Sequence, residues 1–435
     1  MTALLEHALA TPVVGLYLDP GTGSLLFSLI AGVVTTVFYS AKGLYYKLTG
    51  AAKGKPGTAE QSVLDTWSVI IYSEGARYYG TFKPLLAQLA RARIKTLYLT
   101  SDINDPGLTA QAGLTSCFIG DGHKAWALLA RIRADVCIST TPGLDVMQFK
   151  RSKRVKHYMH LVHAPTDKAF NRPYSFDYFD SVVINGPHQE RTLRFLEQLR
   201  GSRAKQLIMG GCLYYDDLVS QLHNRSPERT TPGQTVLLAP TWGRNGLLSR
   251  HGSKLLHALA QQDVRLIIRP HPQSLVSEPK LIEGLQALFP DSARLEWDFS
   301  PIPFEAMASS DVMISDISGV IFDYAFLFEK PVITVGIEPV REGTEASDLP
   351  YDPWELTVLN DIGLRLTEQD LDQLTDYLPD LARDERFKHT IRALRAEYVV
   401  NFGHAASPIM EAIKALIEDR ETEIRPFAAF ERQAE

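Results

Sequence analysis

From Trp67 onward the chain alternates short, continuously apolar runs with stretches whose apolar residues recur every three or four positions. "WSVIIY" (67–72), "TLYLT" (96–100), "VCIST" (136–140), "HYMHL" (157–161), "SVVIN" (181–185) and "QLIMG" (206–210) predict strands. "FKPLLAQLARA" (82–92) and "QERTLRFLEQL" (189–199) predict helices between them. A polar stretch without apolar period, "HNRSPERTTPGQ" (223–234), then interrupts with two prolines. After it the rhythm restarts. "TVLLA" (235–239), "RLIIR" (265–269), "ARLEW" (293–297), "DVMIS" (311–315) and "PVITV" (331–335) predict strands. Residues 253–262, 281–288 and 319–328 predict helices among them, and 384–420 reads as a helical close to the chain.

Strands apolar throughout are covered on both faces, which is the signature of a parallel sheet flanked by helices. The expected fold is therefore α/β with two Rossmann-like lobes, residues 62–222 and 235–435, joined by the linker 223–234. A ligand is expected between the lobes, at the carboxyl ends of the strands.

The first 61 residues follow another pattern. From Ser24 to Tyr46, "SLLFSLIAGVVTTVFYSAKGLYY" carries a single charge, Lys42. At 1.5 Å per residue a helix of that length reaches across a hydrocarbon core, so an N-terminal hydrophobic anchor helix is expected. An interfacial helix and a buried core helix are the other readings. Glu6 and Asp19 precede the segment while Lys47, Lys53 and Lys55 follow it, which puts the bulk of the chain on the cytoplasmic face of a membrane. "AAKGKPGTAEQ" (51–61) reads as a linker.

Composition narrows the function. In 435 residues, 45 Lys and Arg against 51 Asp and Glu give a formal net charge of −6, which argues against a general nucleic-acid binder. Cys117, Cys137 and Cys212 are far apart and odd in number, so they form neither a disulfide framework nor a zinc ribbon. The histidines of "HYMHLVHAPTD" (157–167) lack helical zinc-ligand spacing, and no metal site is expected there.

Candidate chemistry gathers at strand ends. In "LIIRPHPQ" (266–273) a buried strand stops on Arg269, whose planar fork of donors suits phosphate oxygens. His271 follows, braced between Pro270 and Pro272, as an acid–base group. The plainer reading pairs Arg269 with an acidic neighbour. Near Ser318 a strand gives way to a helix, with Ser318 as a fitting N-cap and Gly319 admitting close approach, an arrangement suited to an anion. Asp323 sits among Ile321, Phe322 and Tyr324, where a lone carboxylate is costly unless partnered by an arginine or by ligand hydroxyls. Pro240 and Thr241 lead from a strand into a glycine-rich loop, which by its residues alone is a loop and nothing more, and His163, at a strand-to-loop transition, is a candidate base.

These segments, in this order, resemble the CDP-glycerol glycerophosphotransferase family, which builds teichoic acid-like glycerol phosphate polymers. The matching residues are His163 with Ala164 and Pro165, Pro240-Thr241, Arg269-Pro270-His271-Pro272, and Ser315-Asp316-Ile317-Ser318-Gly319 with Asp323, spanning roughly 155–335. The resemblance implies a GT-B-type fold and a CDP-glycerol or related nucleotide donor. It further implies an envelope glycan or lipid-linked acceptor. By it, His163 would deprotonate an acceptor hydroxyl; Arg269, His271 and Ser318 would hold the donor pyrophosphate and the leaving CMP; and Asp323 would contact the donor. No cofactor is required by the motif, and a divalent metal is left open. The sequence departs from the family where a second serine becomes Gly319, and where "GCLYYD" (211–216) puts Tyr214 in place of a phosphate-binding arginine. "YLDPGTGSLL" near the N-terminus resembles a membrane-anchoring segment of bacterial envelope proteins. The function expected is transfer of a polyol phosphate at the cytoplasmic face of the bacterial inner membrane, releasing CMP. Two alternatives stand beside it: a GT-B glycosyltransferase using a nucleotide sugar, and a catalytically silent membrane-bound scaffold.

Overall fold

A computed structural model describes residues 63–109, 113–225, 233–300, 302–316, 318–336 and 339–418. The expected anchor helix (24–46), the linker 51–61 and the middle of the linker 223–234 lie outside the described residues. Among the described residues no helix is long and apolar enough to cross a membrane.

Seven strands build the first sheet: β1 (Thr66–Ser73), β2 (Thr96–Thr100), β3 (Thr115–Phe118), β4 (Arg133–Ser139), β5 (Val155–Leu161), β6 (Ser181–Ile184) and β7 (Gln206–Met209). Six build the second: β8 (Gln234–Leu238), β9 (Val264–Ile268), β10 (Leu295–Trp297), β11 (Val312–Ser315), β12 (Val332–Gly336) and β13 (Gly363–Thr367). Every pairing is parallel. The orders are β3-β2-β1-β4-β5-β6-β7 and β10-β9-β8-β11-β12-β13. Each chain of crossovers runs outward from the first strand of its lobe and then reverses, which opens a crevice at the carboxyl ends of β1 and β4, and again at those of β8 and β11.

The continuous apolar runs are explained by this burial. Along β1, Ile70 and Tyr72 face one apolar cluster while Val69 and Ile71 face another on the opposite side of the sheet. Along β8, Val236 and Leu238 point to one cluster and Leu237 to a second. Each such side chain, fully removed from water, contributes about 2 kcal/mol.

The end of the chain departs from expectation. The helical stretch 384–420 is two helices, Glu385–Tyr398 and Ala406–Ile417, and the second packs on the first sheet, not on the second lobe it was expected to close. Backbone contact explains the crossing. Val400 donates to the Asn185 carbonyl at 2.8 Å, and a Cβ on Gly186 would stand 2.2 Å from the Tyr398 carbonyl oxygen. Gly211, at φ +92°, likewise leaves room for the Val400 carbonyl. Asp216 then caps the last helix, accepting from the Ala405 and Ala406 amides at 2.8 Å each.

A second junction joins the lobes. After β12 the chain lays Glu345 and Ala346 against the first lobe, their amides donating to the Asn171 and Ala169 carbonyls at 2.8 and 2.7 Å. The Glu345 carboxylate, 1% exposed, meets Arg200, which also pairs with Asp177 at 2.9 Å and Asp348 at 3.0 Å.

Candidate functional site

On the first lobe the site is built by the loop after β5. The carbonyls of Ala164, Pro165 and Thr166 are each held: Asn185 Nδ2 donates to Ala164 at 2.7 Å, His188 Nε2 binds Pro165 at 2.5 Å, and Gln189 Nε2 donates to Thr166 at 2.7 Å. Three side chains from one strand–helix turn therefore pin the loop that presents His163. The His163 ring is partly buried, meets Tyr78 edge-on at 5.2 Å, and keeps Nδ1 buried without a hydrogen-bond partner. Burial, with the charges of Lys168, His160 and Arg77, pushes this imidazole well below its usual range. At neutral pH it is uncharged and able to accept a proton.

The same loop holds Lys168 in a left-handed backbone, φ +62°, a conformation that costs a side-chain-bearing residue about 1 kcal/mol. Burial lowers its ammonium, while Glu355, Cys212, Asp323 and Asp167 pull the other way. The cluster spans both lobes. Asp323, in the first turn of the helix Val320–Phe328, is pushed up to about 7 by burial, opposed by the Tyr215 hydroxyl and Lys168. Glu355 is pushed up to about 8 by burial and by Asp167. Asp167 in turn accepts from the Trp354 amide at 2.7 Å, and Trp354 stacks against His188 at 4.3 Å.

On the second lobe Thr241 is fixed by Asp316, whose two carboxylate oxygens accept from the amides of Thr241 (2.7 Å) and Leu247 (2.9 Å). That role for Asp316, stapling the loop after buried Pro240 to the end of β11, is structural. The structure pairs Arg269 with Asp298 at 2.5 Å and with the Ser300 hydroxyl and carbonyl at 3.0 and 2.7 Å. Its guanidinium is thus engaged within the lobe, as the plainer sequence reading had it. His271, after buried Pro270, accepts from the Gln273 amide through Nδ1 at 3.1 Å. An acceptor at Nδ1 fixes the neutral tautomer with its proton on Nε2, a donor suited to a phosphate oxygen. Burial and Arg77 lower this imidazole, so it is a neutral donor and not the charged acid that the sequence had left open.

The helix start that the sequence reads as suited to an anion differs in one detail. Gly319, not Ser318, is the N-cap, with φ −58° and no side-chain cap. Ser318 is buried with its hydroxyl unused by the helix, and a Cβ on Gly319 would meet nothing within 4 Å. Glycine is therefore not demanded by the backbone there, and the missing family hydroxyl leaves open space.

Sequence reasoning missed Lys168, Glu355 and Arg77. Lys168 stands only five residues beyond His163, and that proximity was the one available signal. His157 binds Ser181 Oγ at 2.8 Å and His160 is wedged between Phe176 and Phe179, so neither joins the site. Among the described residues no group of three or more His, Cys, Asp or Glu has the geometry of a metal site.

The model of the CDP-glycerol:poly(glycerophosphate) glycerophosphotransferase family matches residues 129–338. Over those residues, just under half of its length, the chain is similar to this family. It is a glycerophosphotransferase-like enzyme. No curated protein matches the chain. Among solved structures, the wall teichoic acid polymerase TagF is similar over 83% of this chain and 91% of its own, at 14% identity and a TM-score of 0.53. S. aureus MnaA, solved with UDP, is similar over 82% of this chain and 99% of its own, at 14% identity and 0.55. The UDP-GlcNAc 2-epimerase of Neisseria meningitidis, bound to UDP-GlcNAc, is similar over 80% and 99%, at 13% identity and 0.52. Likeness at such identity is likeness of fold, and the chain's two parallel-sheet lobes are of that GT-B type.

Proposed function

We propose that this enzyme moves glycerol phosphate, or a related polyol phosphate, from a CDP-activated donor to a hydroxyl of an envelope polymer and releases CMP. The observation that supports the reading is that Lys168 acts on a motif residue of each lobe, His163 and Asp323. In the reaction the acceptor oxygen attacks the phosphorus that bears the glycerol. A new O–P bond forms as the bond to the bridging oxygen breaks, CMP leaves with that oxygen, and the acceptor's proton passes to neutral His163. His271, donating from Nε2, and the amides at the start of the helix Val320–Phe328 neutralise charge on the pyrophosphate. Ser318, Gly319, Thr241 and Asp323 line the donor side. Arg269 serves the donor through the loop it braces with Asp298 and Ser300.

Phosphoryl transfer of this kind needs positioning, charge neutralisation and one proton acceptor, and no step here calls for a cofactor. We assign the enzyme to the cytoplasmic face of the membrane, on the lysines that follow the apolar segment 24–46.

The test is CMP release by the full chain given CDP-glycerol and a crude envelope-glycan fraction. Release that requires the acceptor, and that falls by about 100-fold or more in His163→Ala, is expected for loss of a general base. Turnover of a UDP-sugar in place of CDP-glycerol would move the chemistry to sugar transfer. Donor binding without turnover of either would leave the scaffold reading.

A further inference from the structure

A nucleotide donor brings two phosphate charges, and the cations on or beside the motifs are already engaged. Arg269 is engaged by Asp298 and Ser300, and Lys168 lies among Asp167, Asp323 and Glu355. The turn that follows β1, "SEGARYYG" (73–80), offers another. It stands at the carboxyl end of β1, beside β4, where the strand order of the first sheet reverses and where open α/β sheets take their ligands. The turn is stiff. Ser73 Oγ donates to the Gly75 carbonyl at 3.0 Å and accepts from its amide at 3.3 Å, and Asp102 accepts from the Ala76 amide at 3.1 Å.

From that turn Arg77 lies over the Tyr78 ring at 4.7 Å, and Tyr78 meets His163 at 5.2 Å. The guanidinium is thus one ring removed from the proposed base. Its side chain is 73% exposed, and its ion pair with Glu74 is long, 3.4 Å, and exposed. It is open to a ligand.

We propose that Arg77 is the residue that grips the donor's pyrophosphate from the first lobe. The assignment rests on the glycerol-phosphate transfer reading for the identity of the donor, but concerns a residue outside the matched segment 129–338. Its position accords with the charges felt on both sides. Arg77 lowers His163 on the first lobe and His271 on the second. A planar fork with free donors binds two phosphate oxygens at once, which a lysine cannot do.

The experiment is calorimetric binding of CDP-glycerol and of inorganic pyrophosphate to the full chain, compared with Arg77→Ala and Arg77→Lys, with circular dichroism to check folding. Arg77→Ala is expected to weaken both ligands roughly 10- to 100-fold, with Arg77→Lys between, as for loss of hydrogen bonds to a charged group. Wild-type affinity for CDP-glycerol in Arg77→Ala would overturn the assignment and leave the transfer reading standing. A wild type that ignores CDP-glycerol, but binds pyrophosphate more weakly once Arg77 is gone, would sink the donor reading and keep Arg77 as an anion grip. Binding of neither ligand by the wild type would remove both. Independently of any ligand, histidine NMR titration of Arg77→Ala should show His163 and His271 titrating at higher pH. If neither moves, Arg77 does not stand between them.

Discussion

Asp323 is the residue whose environment and role are most closely tied. A carboxylate held among Tyr215, Cys212 and the apolar face of its own helix loses hydration that Lys168 only partly replaces. Its folded pKa of about 7 lies above an unfolded value near 4, so between those limits the native state holds more protons than the unfolded one. The stability given by the protonated form is full below about pH 4 and is lost as the pH rises through about 7. Asp323→Asn removes that loss. Urea unfolding should find the variant more stable than wild type at pH 8 and no more stable at pH 4, while CMP release falls. Equal stability at pH 8 would mean that Lys168 already compensates the ionised form.

Among the elements, the last helix depends most on backbone fit. It reaches the first sheet because Asn185-Gly186 and Gly210-Gly211 leave a path for residues 398–405. Gly186 is extended, at φ −175°, so any residue could adopt its backbone; what excludes a side chain is the Tyr398 carbonyl. Gly186→Ala is therefore predicted to destabilise through overpacking, by about 1–3 kcal/mol, and to loosen the helix Ala406–Ile417. Thermal unfolding gives the first quantity and amide exchange of that helix the second. An unchanged exchange pattern would show that the crossing segment can shift without cost.

For the whole molecule, the relation between lobes rests on shared apolar clusters, on the helix crossing and on a few buried polar contacts. Glu345 satisfies Arg200 and the Ser175 amide at once, the latter at 3.1 Å, from a segment that belongs to the other lobe. Glu345→Ala leaves Arg200 with Asp177 and the more exposed Asp348. The expected cost is roughly 3 kcal/mol, the low end for a broken buried pair because partners remain. A single unfolding transition that splits in two in this variant would identify the contact as the coupling between lobes. A single transition at the wild-type midpoint would assign that coupling to the helix crossing instead.

The strands and helices were legible along the chain because parallel strands bury both faces, and a run such as "VMIS" records that burial locally. Short or polar elements were not: β3 buries only Cys117 and β13 is largely uncovered, each at a sheet edge where the pattern fades. The motif residues His163, His271 and Asp323 were likewise readable, since each breaks an apolar pattern with a group that burial penalises. By itself the sequence determined two α/β lobes and the residues of the family's motifs. Only the tertiary structure decided that Arg269 turns to Asp298, that Asp316 staples a loop, that the helix Ala406–Ile417 crosses back to the first lobe, and that Lys168 and Arg77 come near His163. Each of those depends on what a side chain meets across tens or hundreds of residues, and no local periodicity encodes that meeting.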